Sequence, residues 1–534
     1  MSIKKTKSKN FYITTPIYYA NAKPHIGHAY TTVAADVLAR WNKLNGKETF
    51  LLTGTDEHGL KIQKVAEKAG KEPQQFVDEI SSEFKTLWKK LNIDYNNFIR
   101  TTDAPHKKAV QAALQVLKDK GAIYQGTYEG LYCIGCEQFK TENELVDGKC
   151  PDHNAVPEKL KEECYLLRMS GKTQEQLEEK IKNEFQITPD KYKVEILSFF
   201  KNQKIKDISI SRKNVSWGIP LPFDPSHTTY VWVDAFLNYL TGLGWKGDPK
   251  KLPKQWPPEM QLIGKDILRV HATIWPIILM HLGISLPKKL FTHGHILAGG
   301  KKMSKTLGNV IAVDEMIGKF GVDATRYLLM SAGTFGEDVD LTMERAAEKY
   351  AADLQNGLGN LVARVLTMVE NYFDGKIPDV DLKKTGEINK FKEHAFEANK
   401  NDFKVVWDSL SKGFNNLKID KALGLIISFG EGAGGMVRKQ NRYIDFSEPW
   451  KLIKTDKEQA ALVIYDLLES LRQIAWLIRS FMPETSDKIF CQLFADEKER
   501  AAELSKTLSE AQKWGGLKPG TKIKKGENLF PRLK

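Results

Sequence analysis

Phe11-Tyr-Ile-Thr-Thr-Pro-Ile17 is a short β-rich run that leads through the turn Asn21-Ala-Lys-Pro24 into Pro24-His25-Ile26-Gly27-His28, where a helical pattern begins and continues to Leu44. A second apolar run, residues 49–52, breaks at Gly54. Strand, helix, strand in this order is the rhythm of a doubly wound parallel α/β sheet, in which ligands sit beyond the carboxyl ends of the strands. Chemistry is therefore expected at residues 19–28 and 53–59.

Further along, residues 121–228 change character to short strand-like pieces, a cysteine cluster and a charged helical stretch at 172–184, and read as an insertion. The α/β rhythm returns with three runs read as strands: Thr229-Tyr-Val-Trp-Val-Asp234, Gln261-Leu-Ile-Gly264 and residues 290–297. After Met343 the apolar positions Leu354, Leu358, Leu361, Val365 and Met368 recur at helical spacing, so the C-terminal part is expected to be a helix bundle. Residues 513–534 carry seven basic side chains and one acidic, with Gly and Pro, and read as an extended tail along the surface.

Composition narrows the function classes. The 534 residues are 41% hydrophobic, and 80 Lys and Arg against 67 Asp and Glu give a net charge of +13. At about 150 residues per domain the length suggests three or four units. No run approaches the ~20 apolar residues that span a bilayer, and the start shows no signal peptide, so no membrane association is expected. Five cysteines, unevenly spaced, are too few for a disulfide framework and point to a reducing compartment, the cytoplasm. The basic excess fits a protein that meets a polyanion; by itself it fits ordinary solubility as well.

Three motifs carry chemistry. His25 and His28 lie one turn apart at a helix N-terminus, where free amides favour an anion, and Gly27 removes a side chain from the approach. Alone they read equally as two capping histidines. Lys301-Lys302-Met303-Ser304-Lys305-Thr306 follows Gly299-Gly300, a hinge from which lysines can close over a triphosphate; alone it reads as a solvated basic loop. Cys133-x2-Cys136-x13-Cys150-x2-His153 supplies three thiolates and one imidazole at zinc-knuckle spacing. Such a closed set leaves no open coordination position, so the expectation is one structural Zn2+ rather than a redox CxxC.

Taken together, His-x-Gly-His and Lys-Met-Ser-Lys-Thr resemble the two signatures of class I aminoacyl-tRNA synthetases, with Thr306 in place of the final serine. Nearly the whole chain resembles the methionyl branch of that class. The resemblance implies a split Rossmann-type sheet (1–120 and 229–298), a connective insertion with a zinc knuckle (121–228), a signature-loop and stem-contact region (299–352), a helical anticodon-binding domain (353–512) and a basic tail (513–534). It implies that His25, His28, Lys302 and Lys305 act on the ATP phosphates, and that Gly27, Gly264 and Asp266 help to bind ATP. Ile17, Tyr19, Asp56, Trp232, Ala235, Tyr239, Ile267 and His271 match methionine-pocket positions. Chemically, Asp56 suits an α-ammonium, the aromatic and aliphatic residues suit a thioether, and Tyr19 and His271 are expected to offer hydrogens to sulfur. Asn360, Arg364 and Trp450 match anticodon readers, Trp450 being suited to stacking on a splayed base. The implied partners are ATP with Mg2+, L-methionine, and initiator and elongator methionine tRNA, and the chain is expected to act as a monomer. The span from Gly121 to His227, 107 residues, is too small for a separate editing domain. Two rivals remain: a ligase for another amino acid, and an RNA-binding paralogue without activity.

Overall fold

The computed structural model describes residues 10–134, 138–140, 142, 145–151, 154–203, 205–213, 215–303, 309–380, 396–427 and 434–533. The chain divides into two compact units, Met1–Pro24 with Glu48–Gly294, and His25–Lys47 with His295–Lys534.

The first unit is built on a six-stranded sheet in the order Asn97–Arg100, Thr49–Asp56, Phe11–Tyr19, Met260–Gly264, Lys289–His293, Gln186–Thr188. Every neighbouring pair is parallel. Strand order reverses between Phe11–Tyr19 and Met260–Gly264, which creates a ligand crevice at their carboxyl ends. Register fixes what meets there: Tyr19 lies opposite Asp56, and Gly264 opposite His293. Tyr12, Ile13, Leu51, Leu52, Leu262, Ile263 and Leu290 are buried, the near-continuous apolar pattern of a sheet covered on both faces.

Three expectations are corrected. The second strand does not break at Gly54 but runs Thr49–Asp56; a Cβ at Gly54 would lie 2.0 Å from the Ile99 carbonyl oxygen, so the glycine answers a close backbone approach. Residues 229–234 are not a strand. The strand is Asp224–Thr229, and Val231–Thr241 is a helix with every residue buried except Trp232. An apolar run buried on all sides has no periodicity that separates helix from strand. Finally, Gln186–Thr188, inside the span read as an insertion, supplies the edge strand of the central sheet. The rest of that span holds a four-stranded antiparallel sheet around the long pair Ile123–Cys133 and Glu158–Leu167, the helices Lys172–Asn183 and Asp190–Asn202, and a small three-stranded sheet.

In the second unit a three-stranded sheet (Lys301–Lys302, Ile296–Ala298, Val339–Asp340) precedes a helical bundle. The helix Lys457–Ile478 runs through the bundle centre, buried from Gln459 to Ile478. Its Arg472 is paired with Glu469 (2.5 Å) and Glu503 (2.7 Å). Glu469 also accepts the backbone N–H groups of Gly515 and Gly516. The tail is thus pinned at its root, and at its far end Phe530 is buried and the Tyr350 hydroxyl donates to the Pro531 carbonyl at 2.8 Å. The expected surface tail is a clamped segment. The helix Ile26–Leu44 belongs to this unit because its buried Asp36 accepts from the buried Arg326 guanidinium at 2.6 Å. The Leu354 and Leu358 positions fall in a π-helical stretch, Tyr350–Gly359, which shifts the phase between that stripe and the helix Asn360–Phe373.

Candidate functional site

At the sheet switch point the sequence places Ile17 and Tyr19 at the end of one strand and Asp56 at the end of its neighbour. The Ala20 N–H donates to the Asp56 carbonyl at 2.8 Å and carries the strand pairing to the last residue. Beside them, Tyr12 donates its hydroxyl to the Tyr239 carbonyl at 2.6 Å and so docks the helix Val231–Thr241 on the first strand. That helix contributes Trp232, Ala235 and Tyr239. Ile17, Tyr19, Trp232 and Ile267 are only partly buried, and they pack against the same apolar core as Tyr239.

The rings of Trp232, Phe236 and His271 form a tilted cluster, with Phe236 edge-on to His271 at 4.9 Å and Trp232 edge-on to it at 6.4 Å. His271 bonds through both nitrogens: Nδ1 donates to the Ile267 carbonyl at 2.9 Å, which leaves Nε2 to accept the Tyr239 hydroxyl at 2.8 Å. The hydrogen expected to reach a substrate sulfur from His271 is therefore already committed to Ile267. Burial lowers the His271 pKa to about 4, with the Ile267 carbonyl opposing, and burial raises that of Tyr239, so both are neutral at pH 7. Unfolded histidine takes up its proton near 6.5. Stability contributed by neutral His271 is therefore full above pH 6.5 and lost as pH falls toward 4, to the extent of about 3 kcal/mol. Urea unfolding at pH 7.5 and 5.0 is expected to show a smaller acid loss for His271→Asn than for the parent protein.

Gly264 and Asp266 stand at the end of the adjacent strand. A Cβ at Gly264 would come within 2.6 Å of Asp266 Oδ1, so the glycine lets that exposed carboxylate fold back over the strand end.

The loop that follows Asp56 is tied on two sides. Glu57 pairs with Arg100 (2.7 Å), accepts from Thr55 and Thr102, and its carbonyl receives the Trp217 indole N–H at 2.6 Å. His58 donates to Asp234 at 2.6 Å, and His106 donates to the other oxygen of Asp234 at 2.7 Å. Burial pushes the Asp234 carboxyl up, but His58 and His106 outweigh it and hold the carboxyl below its ordinary range. Sequence reasoning missed Glu57, His58, His106 and Asp234. The only signal was that His58 and Asp234 each stand two residues beyond a site residue.

In the second unit His25 is the N-cap of Ile26–Leu44. His25 Nδ1 accepts from the Gly27 N–H (3.1 Å), and His28 Nδ1 accepts from the His25 N–H (3.2 Å), a reciprocal cap made of two imidazoles. The rings stack at 3.8 Å, and a Cβ at Gly27 would lie 3.0 Å from the His25 ring, so a side chain there would press on the stacked ring. With each Nδ1 accepting, the ring hydrogen is on Nε2 in both, the tautomer that an anion-binding reading requires. The capping and anion readings are thus compatible. Lys302 lies in the strand Lys301–Lys302, paired opposite Leu297, in the same unit. Lys305 lies outside the described residues.

Cys133 ends the strand Ile123–Cys133 opposite Gln138, Cys150 pairs with Ala155, and both cysteines are buried. This fits a zinc knuckle. Cys136 and His153 lie outside the described residues, and no group of three metal-ligating side chains occurs among the described ones.

On the bundle, Asn360 reaches Asn441 (3.3 Å) and Arg364 pairs with Asp445 (2.6 Å), two rungs one turn apart. Glu448, in the left-handed region at φ 43°, turns the chain so that Pro449 starts the short helix Pro449–Thr455, leaving Trp450 36% exposed. That helix packs against Asn360–Phe373. Asn441, Asp445 and Phe446, 59% exposed, were not picked out from sequence; an aromatic on a polar helix face was the available signal.

Parallel sheet, switch-point crevice, paired imidazoles at a helix start and a helical C-terminal region define a class I aminoacyl-tRNA synthetase. The family model described as tRNA synthetases class I (M) matches residues 11–160 and 153–366, and that of the anticodon binding domain of methionyl tRNA ligase matches 435–534. The chain is 44% identical to methionine–tRNA ligase of Clostridium acetobutylicum, covering 99% of this chain and 79% of that protein. It is 39% identical to methionine–tRNA ligase of Streptomyces coelicolor, covering 99% and 98%. A structure of Mycobacterium tuberculosis methionyl-tRNA synthetase in complex with methionyl-adenylate superposes with a TM-score of 0.88 at 34% identity, covering 98% of this chain and all of that one. The chain belongs to the methionyl-tRNA synthetase family. Among the described residues no helix is long and apolar enough to cross a membrane.

Proposed function

We propose that this chain activates L-methionine with ATP to methionyl-adenylate and then transfers the methionyl group to a ribose hydroxyl at the 3′ end of methionine tRNA, the acyl–phosphate bond breaking and AMP leaving. The observation that carries this reading is the register of Asp56 opposite Tyr19 at the sheet switch point, with Tyr19 and Trp232 packed on the same apolar core as Tyr239, which His271 holds. A carboxylate at the polar end of an aromatic slot suits an amino acid with a flexible apolar side chain.

In the first step a methionine carboxylate oxygen bonds to the α-phosphorus while the bond to pyrophosphate breaks. Asp56 holds the α-ammonium and so aims the carboxylate. Ile17, Tyr19, Trp232, Ala235, Tyr239 and Ile267 enclose the thioether and exclude water, with His271 fixing Tyr239. Gly264 and Asp266 receive adenosine, Asp266 accepting from ribose hydroxyls. His25 and His28 donate through Nε2 to phosphate oxygens, near Gly27, and Lys302 and Lys305 stabilise the charge that gathers on the departing pyrophosphate. Mg2+ bound with ATP would neutralise part of the triphosphate charge. Asn360, Arg364 and Trp450 read the anticodon, Trp450 by stacking. Cys133, Cys136, Cys150 and His153 would hold one Zn2+ in a closed site whose contribution is to the fold of the insertion. The relatives are ligases of translation, which supports a cytoplasmic enzyme.

The test is methionine-dependent exchange of labelled pyrophosphate into ATP, with other amino acids as competitors. Exchange that requires methionine supports the reading; none, or exchange driven better by leucine, overturns it. Elemental analysis is expected to find about one zinc per chain, lost in Cys150→Ser.

A further inference from the structure

We propose that Asp234, bonded at once to His58 and His106, is a positioning residue for methionine that locks the loop carrying Asp56 to the helix carrying Trp232, Ala235 and Tyr239. The inference rests on the pocket reading above and deepens it.

The three side chains are 1%, 3% and 1% exposed. His58 Nδ1 meets Asp234 Oδ2 at 2.6 Å, and His106 Nε2 meets Oδ1 at 2.7 Å. A carboxylate only accepts, so each imidazole donates to it. The other ring nitrogen of His106, Nδ1, is hydrogen-bonded to the Thr241 hydroxyl at 2.7 Å. One buried carboxylate thus joins three pieces of chain: the loop after Thr49–Asp56, the first turn of Ala104–Asp119, and both ends of Val231–Thr241.

Position in the sequence gives this hub its consequence. His58 is two residues beyond Asp56, and Asp234 lies between Trp232 and Ala235. Glu57 is held toward the strand Asn97–Arg100 by its pair with Arg100. Consecutive residues after Asp56 are therefore each anchored, one to a strand and one to a helix. Asp56 has little freedom to drift from the slot residues that share the second anchor. Each of the two bonds to Asp234 joins a buried ionised group, so losing one leaves a carboxylate oxygen without its donor and lets the loop seek another arrangement. The substrate ammonium and the thioether slot would then lose their mutual registry, which affects methionine and not ATP.

The experiment measures KM for methionine and for ATP in pyrophosphate exchange, with thermal unfolding alongside, for matched pairs of variants. His58→Asn keeps a donor near the Nδ1 position and His58→Leu removes it; His106→Gln keeps one near Nε2 and His106→Leu removes it. Each leucine variant is expected to raise methionine KM roughly 10-fold or more while ATP KM stays within about twofold, as for loss of a charge-assisted hydrogen bond that orients one ligand. Each amide variant is expected to return methionine KM to within about threefold of the parent. Unchanged methionine KM in a folded leucine variant, a parallel rise of both KM values, or no rescue by the amides would overturn the inference. Where one leucine variant fails to fold, the pair at the other histidine decides. Asp56→Asn separates the two readings. If it leaves methionine KM unchanged, the pocket reading falls and this inference with it; if it raises methionine KM and the leucine variants do not, only the positioning role falls.

Discussion

Replacing His28 with alanine is expected to lower methionine-dependent pyrophosphate exchange by roughly 10²- to 10³-fold, the cost of removing one preorganised donor from a site where negative charge develops. Burial, with His25 adding to it, holds the His28 pKa well below its ordinary value, so the ring is neutral at physiological pH. Its Nδ1 is fixed as acceptor of the His25 N–H, and its single hydrogen is on Nε2. Because the ring is neutral already, raising the pH from 7 to 9 withdraws no proton from it and this donor remains. The alanine variant also loses half of the reciprocal cap, at about 1 kcal/mol, which leaves the fold intact. His28→Gln retains a donor near Nε2 and is expected to keep more exchange than His28→Asn, which retains only the capping position. Exchange in His28→Ala within tenfold of the parent would remove the histidine pair from the phosphate chemistry.

The second large effect is expected on tRNA. Trp450→Ala should reduce kcat/KM for charging methionine tRNA by about 10- to 100-fold, since stacking of a base on an aromatic ring contributes about 1–3 kcal/mol. Exchange, which involves no tRNA, should stay within about twofold of the parent. Trp450 is already one-third exposed, so little core packing is lost and the thermal midpoint should barely move. Charging and exchange that fall together would show instead that Trp450 supports the fold of the bundle.

Much of the architecture could be read from local pattern. The strand and helix of residues 11–44, the strand at Met260–Gly264 and the helical C-terminal part follow from periodicity and turn chemistry, which act over a few residues. The histidine spacing put both rings on one face of a helix start, where capping was one of two readings; the reciprocal bonding of the two imidazoles was decided by the structure. The helix Val231–Thr241 was not legible, since burial on all sides erases the polar phase that identifies a helix. Nor was the edge strand Gln186–Thr188, whose three residues are too short to show any period. At the π-helical stretch Tyr350–Gly359 the spacing of leucines looked like an ordinary α-helix, because the extra residue per turn leaves no signature in residue type.

By itself the sequence determined the family and the rhythm of the parallel sheet, and it singled out the candidates for the donor set of the knuckle and for ammonium, phosphate and base chemistry. These depend on residue type and short spacing, which survive without coordinates. Only the tertiary structure decided which side chains share a hydrogen. His271 is committed to Ile267 and Tyr239, and Asp234 collects imidazoles 176 and 128 residues away in the chain. Hydrogen bonds act over about 3 Å, and contacts at that range between distant segments are set by sheet order and helix packing rather than by any local pattern.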